Sequence, residues 1–364
     1  MQDLYTTVPW KYMDWSHRLD GILHEIKLVD PDVLCLQEVD AFDEMERALA
    51  ALGYKGSFLS RRGLPEGCAT FWKSSKFHQA TGGEHHIDFA NHDLKQNVAL
   101  IHVLQSKEAN WRLLLGNIHV LFNPKRGDIK LAQVRVLLGK VAALQQKHRT
   151  ASVVICGDFN SAPGSPLYEY VLRGELDCLA HDRRYISGQV EGLAHGVEHK
   201  PVRNQFHLPP QEQEQEEEKT PPKNSKRKGN PNKWSSENLR IALGMLPQGT
   251  TKITHSLKLH SAYDTVGGGE PGTILFSKWI PLFYFLKHSI FLHIFFSAYT
   301  SAHRRFVGTV DYIWYAQSEG ASIRPLSCLL PLKYESLMNS SVPCLPNRHW
   351  PSDHMSIVSD FLVC

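Results

Sequence analysis

Apolar positions in the first fifty residues switch between a helical spacing and a short continuous run. Over residues 19–26 they recur at i, i+3, i+4 and i+7, which predicts a helix that Asp14 caps and Pro31 stops. The run Val33–Val39 (VLCLQEV) has the length and composition of a buried strand. A second amphipathic helix follows over residues 42–49. This alternation predicts a layered α/β fold.

The same two patterns continue towards the C-terminus. Residues 129–144 repeat apolar side chains at helical spacing, and Ser165 and Pro166 supply the N-cap and first position of another helix that Gly174 closes. No internal repeat of 20–50 residues is visible, which argues against a leucine-rich-repeat adaptor in this sequence. Further strands are predicted at residues 97–104, 113–121, 153–156, 310–315 and 355–363.

Two segments depart from this pattern within what we expect to be one domain, residues 1–364. Residues 211–231 (QEQEQEEEKTPPKNSKRKGNP) cannot bury apolar surface, so a disordered loop is predicted over 207–235. Its basic half has the composition of an RNA-binding segment or a nuclear localisation signal, although a solvated linker is favoured. The apolar run 279–296 carries Lys287 near its middle and only just reaches the length of a membrane span. An atypical apolar insertion over 274–297 is therefore favoured over a membrane partner.

Composition and charge narrow the class of protein. Hydrophobic residues at 42% and charged residues at 21% are typical of soluble globular proteins. The 40 Lys and Arg against 37 Asp and Glu leave a net charge of +3, so any nucleic-acid binding must come from a local patch. The seven cysteines form no CxxC pair, and no secretory signal is visible. We therefore expect reduced thiols and a cytoplasmic or nuclear location.

Carboxylates and amides fall where two predicted strands end. Gln37 and Glu38 close the first strand, and Asp158 and Asn160 follow VVIC, where Gly157 permits a tight turn. Both strands deliver carboxylates to one sheet edge, with no pair of Cys or His beside them, so the candidate ligands are hard oxygen atoms. Such ligands suit Mg²⁺, with Mn²⁺ as the alternative, and argue against zinc.

Two histidines and a basic turn complete the candidate chemistry. Asp353 and His354 precede the last predicted strand, and Asp311 begins another, so Asp311 can fix the tautomer of His354 and raise its basicity. His119 lies in the strand of GNIHVLFNPKRGDIK, and the turn after it can offer cationic donors to a phosphodiester. The residues of this turn are Asn123, Pro124, Lys125 and Arg126.

Five motifs closely resemble, in order, those of the endonuclease/exonuclease/phosphatase superfamily: LCLQEVD, GNIHVLFNPKRGDIKLAQ, GDFNSAPGSPLYEYV, GTVDYIWYA and LPNRHWPSDHMSI. Within that superfamily the chain is similar to the branch of carbon catabolite repressor-type deadenylases, nocturnin and Angel. It most resembles the plant carbon catabolite repressor homologues. The similarity covers most of residues 1–205 and 300–364.

The resemblance implies a fold and an activity. The fold is a four-layer α/β sandwich with two central mixed β-sheets, and relatives begin with a strand of the type MSYNIL that we expect to be missing here. The activity is that of a Mg²⁺-dependent 3′–5′ exoribonuclease on poly(A) that releases 5′-AMP, with RNA and mRNA-decay subunits as partners. Two alternatives stay open: a phosphatase on a nucleotide or RNA-terminal phosphate, and an impaired RNA-binding scaffold.

The resemblance also implies roles for the residues that would surround the metal. Glu38 would ligate the metal, and Asp353 would support the metal or its water. Asp158 would belong to the same set and orient or deprotonate the attacking water. Asn160 would stand beside Asp158 and also reach the base.

Further roles concern the phosphate and the base. His119 would stabilise the pentacovalent phosphate, and His354 with Asp311 would complete a catalytic dyad. Pro124 and Phe306 match the proline and phenylalanine that clamp an adenine in the relatives. The resemblance thus implies a site for the 3′ end of an RNA.

Overall fold

The computed structural model describes residues 5–189, 233–247, 249–267, 270, 300–303, 306–319, 322–331 and 345–363. The expected apolar insertion 274–297 lies outside these residues, as does the expected loop 207–235 up to residue 232. Residues 233–235 belong to the folded part, because Trp234 is buried and its Nε1 donates to the carbonyl of His181 at 2.9 Å. In the part of the chain that is described, no helix has the length and apolar character needed to cross a membrane.

Six α-helices lie in the described residues; the first four are close to the predicted positions, and the last two were not predicted. They are α1 (Trp15–Val29), α2 (Phe42–Ala50), α3 (Gly127–Lys147), α4 (Pro166–Arg173), α5 (Ser236–Leu243) and α6 (Ala262–Gly267), with short 3-10 helices at Trp10–Tyr12, Phe89–His92, Cys178–Ala180 and Arg183–Tyr185. The side chain of Asp14 caps α1, and Ser165 caps α4. Gly174 ends α4 with a φ of 80°, a left-handed conformation that glycine adopts easily.

In the described part of the chain, fifteen strands form two larger sheets, which are the two middle layers, and three two-stranded ribbons. They are β1 (Val33–Val39), β2 (Tyr54–Ser60), β3 (Gly67–Lys73), β4 (Phe77–Asp88), β5 (Val98–Ser106), β6 (Arg112–His119), β7 (Ala151–Asp158), β8 (Glu175–Asp177), β9 (Lys252–Thr254), β10 (His260–Ser261), β11 (Ser301–His303), β12 (Phe306–Gly308), β13 (Asp311–Ala316), β14 (Ile323–Leu329) and β15 (Val358–Val363). One sheet has the order β10-β13-β7-β6-β5-β4 and is mixed, since β6 and β7 run parallel. A second has the order β1-β3-β2, and its described pairs are antiparallel.

The six-stranded sheet is buried on both faces. Alternate side chains of β5 point to opposite sides, so Ile101 and Val103 pack with the helices, whereas Leu104 packs with Trp72 of β3 between the sheets. Helix α3 contributes Val134 and its neighbours to the first of these cores. A third core lies between the β1-β3-β2 sheet and helices α1 and α2. The order helix, sheet, sheet, helix confirms the four-layer α/β sandwich.

Strands β2, β3 and β4 follow no clear sequence pattern, and periodicity predicted none of them. In β4 the pairing with β5 shifts register between Gln79 and Glu84. Gly83 lies where the register shifts. A Cβ atom on this residue would be 2.7 Å from the carbonyl oxygen of Ala80, so any larger residue would clash with the backbone there. These strands form because their neighbours pair with them, which local periodicity does not reveal.

Candidate active site

Three neighbouring strands bring their polar residues to one edge of the six-stranded sheet. His119 at the end of β6 lies opposite Asp158 at the end of β7, and Asp158 lies opposite Asp311 at the start of β13. Gly157 allows this close alignment, because it has a φ of 147° and a Cβ there would meet the carbonyl oxygen of Ile118 at 2.0 Å. Strand register therefore aligns residues that are far apart in sequence.

Asp311 and His354 form the ion pair that the sequence predicts. Nδ1 of His354 donates to Oδ2 of Asp311 at 2.8 Å. A β-bridge between His354 and Ser301 places the histidine beside the sheet edge. Burial alone would lower the pKa of His354, but the carboxylates of Asp311, Asp353 and Asp158 outweigh it and raise that pKa well above its usual value. The imidazole therefore carries a positive charge at neutral pH.

Hydrogen bonds from the turn that follows β7 hold the buried carboxylate of Asp158 in place. Its two oxygens accept hydrogen bonds from Asn160, one from the backbone N at 2.7 Å and one from Nδ2 at 3.0 Å. Burial and the nearby charge of Asp311 raise the pKa of Asp158 to about 8. Nε2 of His119 lies 3.6 Å from Oδ2 of Asp158. Burial lowers the pKa of His119 to about 3, so its imidazole is neutral.

Glu38 and Asp353 lie at the rim of this group. Glu38 is exposed, with a φ of 54° at an irregularity in the pairing of β1 with β3, and its Oε1 lies 4.0 Å from Nε2 of His119. Oδ2 of Asp353 accepts a hydrogen bond from the hydroxyl of Tyr5 at 2.8 Å. No motif in the sequence predicts a role for Tyr5.

The donors fit a divalent cation. Among the described residues, ligand atoms of Asp158, Asp311 and His354 all lie within 4.8 Å of one another. Asp158 and Asp311 are two buried carboxylates in close proximity, and a cation beside them would relieve the repulsion between their charges. His354 would not be a ligand while it is protonated and bonded to Asp311. This cluster differs from the predicted ligand set of Glu38, Asp158 and Asp353, which stays a prediction.

In the basic turn after β6, Arg126 forms hydrogen bonds within the protein. Oδ1 of Asn123 accepts from the backbone N of Lys125 at 3.0 Å, and Pro124 is buried while Lys125 is exposed. Nε and Nη2 of Arg126 instead donate to both carboxylate oxygens of buried Asp128, at 3.0 Å and 2.9 Å. Two donors of the Arg126 guanidinium therefore hold the start of α3, and its predicted contact with a phosphate stays a prediction.

Asn160 also differs from one of its two predicted roles. Its Nδ2 donates to the carbonyl of Val120 and to Asp158, and its Oδ1 accepts from Nε2 of Gln189 at 3.2 Å. Both amide hydrogens are used inside the protein, and the residue is buried. The expected contact with an adenine edge is not supported, whereas the predicted place beside Asp158 is confirmed by these bonds.

Phe306 lies on the ribbon next to the dyad. It begins β12, which pairs with β11, the strand whose Ser301 bridges to His354. Phe306 is half-buried, and its ring packs against Gly308. A Cβ atom on Gly308 would be only 2.6 Å from this ring. Its predicted partnership with Pro124 around a base stays a prediction.

Sequence reasoning missed several buried residues that support the site. Asn117 joins the two sheets, since its Oδ1 accepts from Nε2 of Gln37 at 2.7 Å and its Nδ2 donates to the carbonyl of Ala69 at 2.9 Å. Lys130 is wholly buried in α3. The sequence does contain a signal that Lys130 is buried. Lys130 precedes Val134 by four residues, so it lies on the apolar stripe of that helix.

The chain is similar to several known proteins over most of its length. A model of the endonuclease/exonuclease/phosphatase family matches residues 11–354. Carbon catabolite repressor protein 4 homolog 5 of Arabidopsis thaliana is 37% identical over 98% of this chain and 72% of its own. Protein angel homolog 2 of Mus musculus is 30% identical over 96% of this chain and 64% of its own. The crystal structure of ANGEL2, a 2′,3′-cyclic phosphatase, has a TM-score of 0.70 and 29% identity, covering 99% of this chain and 89% of that one.

Proposed function

Because this chain belongs to the endonuclease/exonuclease/phosphatase family of hydrolases, we propose that it is a Mg²⁺-dependent 3′–5′ exoribonuclease that prefers poly(A) and releases 5′-AMP. The observation that carries the proposal is the alignment of His119, Asp158 and Asp311 across three strands, with His354 at 2.8 Å from Asp311. RNA would be its substrate and mRNA-decay subunits its partners, in the cytoplasm or the nucleus.

Magnesium would be held by carboxylates of this edge. Glu38 and Asp158 are the proposed ligands, with Asp353 supporting the metal or its water. When bound, the ion would neutralise negative charge on the phosphate and the leaving oxygen. Mn²⁺ is the alternative ion, because it accepts the same oxygen ligands.

Three side chains of the protein carry out the proton transfer and stabilise the charge on the phosphate. Asp158 orients the attacking water and takes a proton from it, because burial and Asp311 raise the pKa of its carboxyl. His119 is neutral and donates one ring N–H to a phosphoryl oxygen. His354 is positively charged beside Asp311 and stabilises the negative charge that develops on the phosphate.

Binding of the terminal base, though not the preference for adenine, rests on the base clamp. Pro124 lies on the turn after β6, and Phe306 lies on the ribbon beside His354. Stacking of a base on an aromatic ring contributes about 1–3 kcal/mol and tolerates any base. A group other than Asn160 must therefore supply base selection, since Asn160 is fully engaged within the protein.

A second candidate is removal of a 2′,3′-cyclic phosphate from the 3′ end of RNA. The likeness to ANGEL2, a 2′,3′-cyclic phosphatase, over nearly the whole chain favours it. Water would attack the phosphorus of the cyclic ester, and one ring P–O bond would break to leave a phosphomonoester and a free hydroxyl. A second water would then hydrolyse the remaining P–O bond and release inorganic phosphate, which completes the removal. The same catalytic residues serve this reaction, so the two activities differ in how the terminal ribose is held.

Two RNA substrates separate the candidates. We would incubate a 5′-labelled oligo(A) that ends in a 3′-hydroxyl, and the same RNA ending in a 2′,3′-cyclic phosphate, with Mg²⁺. Laddering with release of 5′-AMP supports the exoribonuclease, and ring opening without shortening supports the cyclic phosphatase. The matched control is His354→Ala, which should be inactive in both assays. If neither RNA changes beyond the level of an EDTA control, both candidates are wrong.

A further inference from the structure

A buried lysine lies directly behind the proposed active site. Lys130, in the first turns of α3, has no exposed surface. Its Nζ donates to the carbonyl of Asn160 at 2.6 Å and to Oε1 of Gln189 at 2.7 Å. Both acceptors are neutral, and the described residues give this ammonium no ion pair. A buried cation without a paired anion is unfavourable, and burial lowers the pKa of Lys130 to about 7.

The hydrogen bonds of Lys130 lead to the carboxylate of Asp158. Gln189, held by the lysine, donates from Nε2 to Oδ1 of Asn160 at 3.2 Å. Asn160 then donates from its backbone N and its Nδ2 to the two oxygens of Asp158. Asn160 has a φ of 46°, a left-handed conformation that a residue with a side chain keeps only when its surroundings hold it.

A purely structural position would not need an amine here. Lys130 lies on the apolar stripe of α3, where leucine or methionine would pack without the cost of burying a charge. Leucine or methionine cannot donate hydrogen bonds to the carbonyl of Asn160 and to Oε1 of Gln189, as Lys130 does. Without them, these two buried acceptors would each lose a donor.

We infer that Lys130 is a positioning residue that holds the turn from Asp158 to Asn160, and thereby the orientation of the Asp158 carboxylate at the reacting phosphate. It acts on the backbone of Asn160 directly and on its side chain through Gln189. The inference rests on the proposed function, because it assumes that Asp158 belongs to the reacting groups.

The first test is Lys130→Met, which keeps an unbranched side chain and removes the ammonium donors. Because groups that orient catalytic residues affect activity about 10- to 100-fold, we expect kcat to fall by about that factor while KM stays near the parental value. Gln189→Met should lower kcat less. The double variant should be no slower than Lys130→Met, because the two residues act on the same turn.

Two control variants separate positioning from loss of stability. Val141→Ala removes buried volume at the far end of the same helix and should lower the melting temperature without changing kcat. Lys140→Met makes the same chemical change at an exposed position of α3 and should change neither quantity. The inference is wrong if Lys130→Met keeps the parental kcat. It is also wrong if Val141→Ala loses as much melting temperature as Lys130→Met and loses as much kcat too.

A measurement without substrate keeps the inference apart from the proposed function. Amide hydrogen exchange of peptides covering residues 158–161 should be faster in Lys130→Met and Gln189→Met, and parental in Val141→Ala. Should the parent protein hydrolyse neither RNA, the proposed function fails and the exchange result alone decides whether Lys130 holds the turn. Unchanged exchange in both variants overturns the inference. If Lys130→Met does not fold, Gln189→Met provides both readouts.

Discussion

Three titratable residues at one sheet edge hold different protonation states because their surroundings differ. Asp158 and His119 are both deeply buried, and burial makes the acid a stronger base by raising its pKa and keeps the imidazole neutral by lowering its pKa. His354 behaves differently because Asp311 is its direct partner, and the attraction outweighs desolvation. The carboxylates around His354, with Asp311 in direct contact, thus keep this histidine charged.

Removing that neighbour should change the pH dependence of turnover. In Asp311→Asn the histidine loses its anionic partner, so we expect its pKa to fall and kcat/KM at neutral pH to drop by about 10²-fold or more. Because the raised pKa of His354 would set the alkaline limit of activity, that limit should move to lower pH. The measurement is a pH profile of kcat/KM for the parent and the variant.

A matched change elsewhere controls for the loss of a negative charge. Asp360 is exposed on β15, and Asp360→Asn should keep the parental profile. An alkaline limit that stays in place in Asp311→Asn would show that the charge of His354 does not govern turnover.

At the scale of elements, the start of α3 is tied to two other segments by a buried carboxylate. Asp128 accepts from Arg126, from Nη1 of Arg183 at 3.2 Å and from Nδ2 of Asn238 in α5 at 3.0 Å. Burial would raise the pKa of Asp128, but the two guanidinium groups outweigh it and lower that pKa below its usual value. The carboxylate therefore stays ionised and joins α3 to α5.

The lowered pKa makes a prediction about acid stability. Asp128 stabilises the folded state above its unfolded-state pKa of 3.8, and this contribution is lost as pH falls through the folded-state pKa. Asp128→Asn should lower the free energy of unfolding by about 1–3 kcal/mol near neutral pH, because it takes the buried anion away from two partly exposed guanidinium groups. The difference in melting temperature from the parent should shrink as pH falls below 3.8.

Melting curves followed by circular dichroism across this pH range give the comparison. Asp20→Asn on the exposed side of α1 serves as the control for a change in net charge, and it should track the parent throughout. A difference between Asp128→Asn and the parent that does not vary with pH would contradict the expected titration.

On the scale of the whole molecule, the site depends on how the two sheets are joined. Asn117 of β6 lies between them and bonds to Gln37 on β1 and to the carbonyl of Ala69 on β3. Gln37 directly precedes Glu38, and Asn117 stands two residues before His119. The contact between the sheets therefore sets the distance between a proposed metal ligand and a histidine.

Replacing this contact should affect both stability and turnover. Asn117→Leu removes a donor from the buried carbonyl of Ala69, at a cost of about 1–3 kcal/mol, and removes one of the two acceptors of the half-buried Gln37 amide. We expect a lower melting temperature and a larger loss of kcat than a core variant of equal stability, such as Val141→Ala. Parental kcat in folded Asn117→Leu would show that the contact is structural only.

Metal binding should stabilise the whole fold. A cation that binds only the folded state adds RT ln(1 + [L]/Kd), or about 2.7 kcal/mol at one hundred times Kd. We therefore expect the melting temperature to rise with Mg²⁺ concentration and to fall again with EDTA. In Glu38→Gln the rise should need more Mg²⁺, while the melting temperature without metal stays parental because Glu38 is exposed. A parental response in that variant would remove Glu38 from the ligands.

The amino-acid sequence by itself determined the local features of this protein. Caps such as Asp14 and Ser165 act through bonds to the next few residues, and apolar spacing sets which face of a helix is buried, so α1, α3 and α4 were predictable. The strand ends that carry Glu38 and Asp158 were predictable for the same reason. The ordered motifs indicated the four-layer sandwich as well.

Only the tertiary structure decided which partner each polar side chain has. Strand register placed His119, Asp158 and Asp311 side by side, although they come from distant parts of the chain. Burial then engaged Asn160 inside the protein and enclosed Lys130 behind it. Such choices depend on water exclusion and on donors that are remote in sequence, so a local pattern can identify a reactive side chain but not the group that holds it.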